Sequence, residues 1–493
     1  MGTSEGLAYK SGAGRWVIAA TVLGSGMAMI DSTVVGIALP TIGRNFTATI
    51  GTLQWVVTGY TLTLAALLLL GGSLGDRFGR RRIFCTGVVW FAVSSAACAL
   101  APDSSALIVA RVVQGIGGAL LTPGSLAILQ ASFSPEDRGS AIGAWSGLGG
   151  LAAAAGPLLG GYLIAAASWR WIFFINIPIA ALVLALSIKH VPESRDPNAS
   201  SRIDVTGAAL GMVFLAGLAY ALIEGPARGF GSPTVLVVLV AALAAGVAFV
   251  LVERAATAPM LPLGLFGARQ FSVTNGVTLI VYAALGGGLF LLPVELQVVN
   301  HYSPFEAGAS LIPLTVVMLL GSARSGRLAT RIGPRLQMGL GPVVIGAGLA
   351  LLIRSTAASS YVAGVLPAVL VFGLGLVITV APLTTTALAA APAENAGIAS
   401  AVNNYVARVG GLLAVAVLPA LAGISGKSYA RANELSQGFR KAMIMTAALC
   451  MLGGIIAAIG IRNPAPESPG HGGTDVPGPN HCALDAPPLS NEA

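Results

Sequence analysis

A short basic segment joins two long apolar runs: Gly71-Gly72-Ser73-Leu74-Gly75-Asp76-Arg77-Phe78-Gly79-Arg80-Arg81-Arg82. Residues 62–70 before it and residues 83–101 after it carry no charged side chain. An apolar run of about 20 residues can cross a bilayer as a helix, and Lys and Arg collect in short loops on the cytoplasmic side. The segment therefore predicts a tight cytoplasmic turn between two membrane-spanning helices.

The composition also indicates a membrane protein. Of the 493 residues, 55% are hydrophobic and only 9% are charged, whereas roughly 25% are charged in soluble domains. The net charge of +8 is spread over short segments between apolar runs, which argues against a nucleic-acid-binding face. The four cysteines do not predict a disulfide framework. No cleavable signal peptide is evident, because the first apolar run contains Asp31 and is expected to be retained.

An internal repeat sets the predicted architecture. A weaker copy of the basic segment, Gly326-Arg327-Leu328-Ala329-Thr330-Arg331-Ile332-Gly333-Pro334-Arg335, lies 254 residues after the first. Of fourteen apolar runs, six fall in each half and two between them have no counterpart. We predict an all-α membrane protein of two six-helix bundles with an inserted two-helix hairpin. The predicted divisions are a cytoplasmic amino terminus (1–15), a first bundle (16–190), a linker with the insertion (191–269), a second bundle (270–462) and a disordered cytoplasmic tail (463–493).

The distribution of Lys and Arg predicts the orientation. With the amino terminus inside, 17 of the 27 basic residues fall in cytoplasmic segments and eight in external loops. This bias places both termini in the cytoplasm. A cluster at 427–441 is the one group of basic residues on the external side that runs against the rule.

Five motifs resemble those of the major facilitator superfamily. The basic segment is similar to the signature between that superfamily's second and third spans. Four further stretches look like motifs of its drug:proton antiporters: Ile30–Val35 with Ala38-Leu39-Pro40, Arg111–Ala119, Gly156–Gly161 and Trp169–Pro178. With the inserted hairpin, they resemble the fourteen-span branch that includes QacA-type and EmrB-type multidrug exporters. The resemblance implies proton-driven export of small hydrophobic or cationic toxic compounds, such as antibiotics and dyes.

Asp31 and Arg111 are the first candidate residues for proton coupling. A carboxylate inside a span costs about 2.5–3.5 kcal/mol on insertion scales, so Asp31 is expected to bind and release a proton or to hold a cationic substrate. The alternative is a hydrogen bond that serves packing alone. Arg111 needs an acceptor or a water-filled cavity, and in the resembled family the matching arginine is thought to take part in coupling. The alternative for Arg111 is that its side chain extends to the external surface and has no role in coupling.

Glu295 and Arg408 complete this group. Nothing is carried over from the family for Glu295, which the repeat places toward the outer mouth. It is expected to be a second proton site or an anchor for a cationic substrate, with a solvated interfacial acid as the alternative. Arg408, with Asn403 and Asn404 on a late span, is expected to line the cavity or to form helix-to-helix hydrogen bonds.

Two further groups have predicted conformational roles. The basic segment is expected to hold cytoplasmic ends together through charged contacts in one state, although its positive charge also serves orientation. Its residues are Gly72, Asp76, Arg77, Gly79, Arg80 and Arg81. The second group permits a close, bendable helix contact, and the resemblance associates it with exporters: Gly156, Pro157, Gly160 and Gly161.

No catalytic constellation is evident, so we predict no enzyme, no cofactor and no metal site. The expected partners are the bilayer of the cell membrane, protons and a small-molecule substrate, with no nucleic acid, and the protein is expected to function as a monomer. A metabolite permease or symporter of the same superfamily is the main alternative. A polytopic membrane enzyme or receptor is a further one, which the repeated halves disfavour.

Overall fold

The computed structural model describes residues 6–197, 204–256, 259–355, 359–391 and 396–463, without the side chains of residues 330, 396 and 397. The predicted disordered tail lies outside the described residues from position 464 onward. The first half contains α1 (Gly12–Asn45), α2 (Ile50–Phe78), α3 (Arg80–Ala99), α4 (Ser104–Ser132), α5 (Pro135–Ala166), α6 (Trp171–Phe174) and α7 (Asn176–His190). The insertion contains α8 (Val205–Arg228) and α9 (Pro233–Ala255). The second half contains α10 (Arg269–Val298), α11 (Pro304–Ala309), α12 (Ile312–Ile332), α13 (Pro334–Leu351), α14 (Leu366–Ala389), α15 (Ala396–Leu421) and α16 (Ala432–Gly460).

Within the described residues, fourteen helical stretches are long and apolar enough to cross a membrane. The short α6 and α7 together form the sixth of these stretches, and α11 with most of α12 forms the tenth. Several begin at a polar residue whose side chain satisfies a free backbone amide. Asp103 accepts from the amide of Ala106 at 2.8 Å, and Ser303 with Glu306 forms a reciprocal capping box. The predicted all-helical membrane fold is confirmed.

The basic segment is more helical than its sequence predicts. Helix α2 continues through Gly71 and Gly75 to Phe78, and α3 begins at Arg80, so only Gly79 separates the two helices. The predicted turn over residues 71–82 is therefore wrong in extent. Gly79 has a φ of 115°, a conformation that side-chain-bearing residues rarely adopt, and this one residue reverses the chain.

The two halves share one pattern of helix packing. In the first half, α4 packs on α2 and α3, while α1 packs on α5 and α7. In the second half, α14 packs on α12 and α13, while α10 packs on α15 and α16. Each second-half helix takes the place that the 254-residue repeat assigns to it. The structure therefore contains two similar bundles, each closed by its own helices.

The inserted pair α8–α9 lies outside this pattern. Helix α8 packs on α2 of the first half and on α15 of the second, whereas α9 packs mainly on α8. A small apolar cluster of Leu62, Leu215, Ala219 and Leu412 joins the three helices. Trp55 Nε1 also donates to Glu224 Oε1 at 3.1 Å, which fixes α8 to α2. The insertion thus flanks the seam between the halves without entering either bundle.

The halves meet near the end of the bundle that contains Tyr429, and Gly79 lies at the other end of α2. Four groups donate hydrogen bonds from one half to a backbone carbonyl of the other here. Gln54 Nε2 donates to Val415 and Ala416 at 2.6 and 2.9 Å, and the Ile50 amide donates to Gly426 at 2.8 Å. In the opposite direction, Gln297 Nε2 donates to Ile37 at 2.8 Å and the Tyr429 hydroxyl donates to Ala48 at 3.1 Å. Burial raises the pKa of the Tyr429 hydroxyl, which keeps it protonated as a donor. These contacts close the Tyr429 end.

Candidate functional site

Asp31 and Arg111 form an ion pair inside the first bundle. Arg111 Nη1 lies 2.5 Å from Asp31 Oδ2, and the two side chains are 1% and 0% exposed. Arg111 Nε also donates to the backbone carbonyl of Val56 at 3.1 Å. Arg111 therefore does not extend to the surface, and that alternative is wrong. Because the pair is removed from water, each charge depends on the other for its stability.

Three amide and hydroxyl side chains surround the carboxylate. Gln114 Nε2 donates to Asp31 Oδ1 at 2.9 Å, and Asn176 Nδ2 lies 3.4 Å from the same oxygen. Asn176 and Gln114 also contact the Ser95 hydroxyl, at 2.9 and 3.3 Å. These partners come from α3, α4 and α7, while Asp31 is on α1. A change in the charge of Asp31 would therefore be felt by four helices of one bundle.

Tyr60 lies between the ion pair and the seam. The Arg111 guanidinium carbon is 4.2 Å from the centre of the Tyr60 ring, which provides a cation–π contact. The Tyr60 hydroxyl is buried and has no hydrogen-bond partner among the described residues. The same tyrosine interacts electrostatically with Asp31, Arg111 and Arg408. It is thus in electrostatic reach of both the ion pair and the second-half arginine.

A cavity of about 200 Å³ lies in the seam between the halves. It is lined by residues of α1, α2, α10 and α15: Ser32, Gly36, Val57, Thr58, Thr61, Gly286, Leu289, Phe290, Arg408, Gly411, Leu412 and Val415. Arg408 therefore lines the cavity, as expected. Asn403 does not, since its Nδ2 contacts Asn275 and Thr278 within the second bundle at 3.2 and 2.8 Å. Asn403 therefore forms helix-to-helix hydrogen bonds, which is the alternative to lining the cavity.

Glu295 is fully buried in the second bundle. It is 0% exposed, and among the described residues neither carboxylate oxygen has a partner in good hydrogen-bond geometry. Its polar neighbours are the Ser436 hydroxyl, which forms a weak hydrogen bond with it, and Arg440, which forms no ion pair inside 4.0 Å in the described part of the chain. The interpretation of Glu295 as a solvated interfacial acid is wrong, because the residue is fully buried.

The charged side chains of the basic segment bind the chain that follows α7. Arg80 of α3 pairs with Asp76 of α2 at 2.7 Å, across Gly79. Arg81 donates through Nη1 to the carbonyl of Val191 at 3.0 Å, and its amide donates to Glu193 Oε1 at 3.1 Å. These contacts fix the start of the linker after α7 to the α2–α3 junction.

The glycines of this segment differ in what they permit. The φ of Gly79 requires glycine, whereas the nearest atom to a Cβ there, Glu193 Oε1 at 2.7 Å, ends a flexible side chain that can move. A Cβ on Gly71 would lie 2.2 Å from the Ala119 carbonyl oxygen, whereas one on Gly72 has no neighbour nearer than 3.7 Å. A close helix approach therefore occurs at Gly71, whereas Gly72, one of the residues named for the basic segment, has room for a side chain. Arg77 lies over the Phe78 ring at 5.2 Å.

The second glycine group holds α5 against two neighbours. A Cβ on Gly156 would lie 2.0 Å from Thr33 Oγ1, and one on Gly160 would lie 2.8 Å from Val34, both on α1. Gly161 faces α11 of the second half, where a Cβ would lie 2.5 Å from the Pro304 carbonyl oxygen. A Cβ on Gly308 of α11 would likewise lie 2.1 Å from the carbonyl oxygen of Pro157 on α5. The motif thus packs α5 within its bundle and across the seam.

A family model described as Major Facilitator Superfamily matches residues 21–415. The chain belongs to the Major Facilitator Superfamily. It is 37% identical to the tetracenomycin C resistance and export protein of Streptomyces glaucescens, over 92% of this chain and 84% of that protein. It is also 37% identical to the methylenomycin A resistance protein of Bacillus subtilis strain 168, over 86% of this chain and 91% of that protein.

Its fold matches solved members of similar architecture. A bacterial homologue of the human lysosomal transporter Spinster, in an inward-facing and unoccupied conformation, has a TM-score of 0.64 at 17% identity. The match covers 92% of this chain and 100% of that chain. The family model and the antibiotic-resistance and export proteins confirm the suspected superfamily and its drug-exporting members, and the family is one of transporters. Among the described residues there is no group of three metal-ligating side chains.

The sequence analysis did not identify several residues that surround the ion pair and the basic segment. Gln114 and Asn176 lie inside two of the motifs quoted for the resemblance, so the motifs contained the signal that they belong to one site. Tyr60 and Ser95 lie in apolar runs without any distinguishing pattern. Glu193 lies in a linker, and its two ion-pair partners, Arg81 and Arg82, are distant in sequence, so no local pattern indicated it.

Proposed function

We propose that the protein is a secondary active transporter that exports small hydrophobic or cationic toxic compounds in exchange for protons. The observation that carries this proposal is the buried Asp31–Arg111 pair, placed one residue before Ser32 of the seam cavity. A buried carboxylate with one strong partner is suited to hold a proton in one state and an ion pair in another. Relatives named for antibiotic resistance and export support the direction of transport.

In the proposed cycle, Asp31 takes a proton from the external side and becomes neutral. The proton removes the charge that Arg111 neutralises, so the guanidinium must find other acceptors. Because Asp31 and the cavity-lining Ser32 and Gly36 share α1, the rearrangement is transmitted to the cavity wall. Release of the proton to the cytoplasm restores the ion pair. Substrate then travels outward as the halves rock about the seam.

We propose that the Gly79 end faces the cytoplasm, with both termini inside and the protein in the cell membrane as a functional monomer. The bias of basic residues supports this orientation. The hydrogen bonds across the seam at the Tyr429 end then close the external side. Toward the other end, a Cβ added to Gly143, Gly147 or Gly150 of α5 would have no neighbouring atom within 4 Å, which fits halves that have separated there.

Transport by inside-out membrane vesicles tests the proposal. We expect an acidic lumen to drive accumulation of members of a panel of acidic, neutral and cationic dyes, and we expect Asp31→Asn to abolish this accumulation. Asp103→Asn is the matched control, because Asp103 is exposed and asparagine also caps helices well. If no dye moves with the pH gradient, or if Asp31→Asn transports normally, proton-driven export is wrong. Accumulation of one polar metabolite by whole cells would favour a permease.

A further inference from the structure

The seam cavity carries one charge, and that charge is positive. Arg408 is its only ionisable lining residue, and no acidic residue lines it in the described part of the chain. Three hydroxyl side chains, from Ser32, Thr58 and Thr61, provide the rest of its polarity. The remaining wall is apolar or glycine, with Phe290 as the aromatic member.

Arg408 has no anionic partner. Among the described residues no carboxylate oxygen lies within 4.0 Å of its guanidinium, and its Nε atom is buried without a hydrogen bond. Its electrostatic neighbours are the phenol groups of Tyr60 and Tyr282. Arg408 is half-buried, so its guanidinium is only partly solvated and gains from a counter-ion or from several acceptors. Among the described residues, no carboxylate pairs with it and no side chain accepts from its Nε atom.

Asp31 cannot serve as that counter-ion in this conformation. Its carboxylate points into the first bundle, where Arg111 and Gln114 occupy its two oxygens. It is also 1% exposed, although Ser32 beside it lines the cavity. Around Tyr60 there are therefore two arginines and one carboxylate. The local excess of positive charge faces the seam.

Resting on the function proposed above, we propose that the preferred substrate is an organic acid: an apolar ring compound whose carboxylate pairs with Arg408. The ring body lies against Phe290, Leu289 and Leu412. The Thr58 hydroxyl, which is buried and has no hydrogen-bond partner among the described residues, lies in the cavity wall where a second polar group of the substrate would pair with it. Charge-assisted pairing with a planar guanidinium favours a carboxylate over an amine or a neutral amide. Of the compounds named in the proposed function, the cavity thus favours hydrophobic ones that carry a carboxylate over cationic ones.

This substrate charge also changes the electrical balance of transport. In a one-to-one exchange, a proton moves inward while a monoanion moves outward, so two positive charges move inward per cycle. Exchange of a proton for a monocation would move none. Export of the acid therefore draws on the membrane potential as well as on the pH gradient.

Equilibrium binding to the purified full chain tests the proposal without any gradient. The probes are 1-naphthylacetic acid, its amide, and 1-naphthylmethylamine, which share one ring body and differ in charge. We expect the acid to bind at least about tenfold more tightly than the amide or the amine, which corresponds to at least about 1.4 kcal/mol. Arg408→Gln should remove this preference while binding of the amide persists, and Arg408→Lys should restore part of it.

The outcomes separate this proposal from proton-driven export. Tighter binding of the amine, equal binding of all three probes, or no binding of the acid would overturn the acid preference, as would a preference that survives in Arg408→Gln. Persistent amide binding shows that this variant is folded. A pH gradient that moves none of the probes would instead overturn proton-driven export and leave the binding result intact. In proteoliposomes, a potassium diffusion potential, negative on the cytoplasmic side, should accelerate export of the acid and leave export of the amine unchanged.

Discussion

Arg111 Nη1 lies 2.5 Å from Asp31 Oδ2, and neither side chain is more than 1% exposed. Removal of one member of such a pair leaves a buried charge without compensation, at a cost of about 3–5 kcal/mol. We expect Asp31→Asn and Arg111→Gln each to lower the unfolding temperature of the purified protein. The double variant should lose much less than the sum of the two. Thermal unfolding in detergent measures all three.

The exposed pair Arg431–Glu434 provides the control for this cycle. Its members lie one helical turn apart at the surface, where an ion pair contributes about 0–1 kcal/mol. Glu434→Gln and Arg431→Gln should therefore change the unfolding temperature little, alone or together. Additive effects of the Asp31 and Arg111 substitutions would contradict the buried coupling.

Adjacent glycines of α2 should respond oppositely to alanine. A Cβ at Gly71 would lie 2.2 Å from the Ala119 carbonyl oxygen, so α2 and α4 must separate, at a cost of about 1–3 kcal/mol. At Gly72 the nearest atom is 3.7 Å away, and alanine gains about 1 kcal/mol of helix propensity. We expect Gly71→Ala to lower the unfolding temperature and Gly72→Ala to hold or raise it. The same result for both variants would disprove the close approach at Gly71.

The sequence predicts the architecture better than the site. Apolar runs and the 254-residue repeat are properties of long stretches, so they predict fourteen helices and two bundles even where individual ends are wrong. Residues 71–78 show the limit: glycine and charge indicate a turn, but contact with α4 keeps the segment helical up to Phe78. Tertiary packing outweighs local propensity there.

The site residues show a second limit. The cost of charge in a membrane identifies Asp31 and Arg111 one by one, because each is expensive alone. Their pairing depends on the facing sides of α1 and α4, which one sequence does not specify. That neither Glu295 nor Arg408 forms an ion pair with any described residue is likewise a property of neighbouring helices. Sequence patterns predict which residues matter here, and the packing determines which of them meet.

Glu295 makes a contrasting prediction to Asp31. Its described polar neighbours are the Ser436 hydroxyl and Arg440, and it forms no ion pair within 4.0 Å in the described part of the chain, so Glu295→Gln removes only weak attractions and can keep the contact with Ser436. We expect this variant to unfold at or above the wild-type temperature, and to show an altered dependence of transport on the pH at the Tyr429 end. Glu434→Gln, at an exposed position, is the control for both measurements. An unfolding temperature well below wild type would show that Glu295 has a stabilising partner.

The contact between α5 and α11 is expected to control closure of the Tyr429 end. A Cβ on Gly308 would lie 2.1 Å from the Pro157 carbonyl oxygen, across the seam, whereas one on Gly150 of α5 has no neighbour within 4 Å. Gly308→Ala should therefore force the halves apart at this end, with a cost of about 1–3 kcal/mol to the closed arrangement. We expect a cysteine introduced at Gln297, in a cysteine-free background, to react faster with an external thiol reagent when Gly308→Ala is present. Gly150→Ala should leave its labelling rate unchanged. Equal rates in both variants would show that the seam is not closed by this contact.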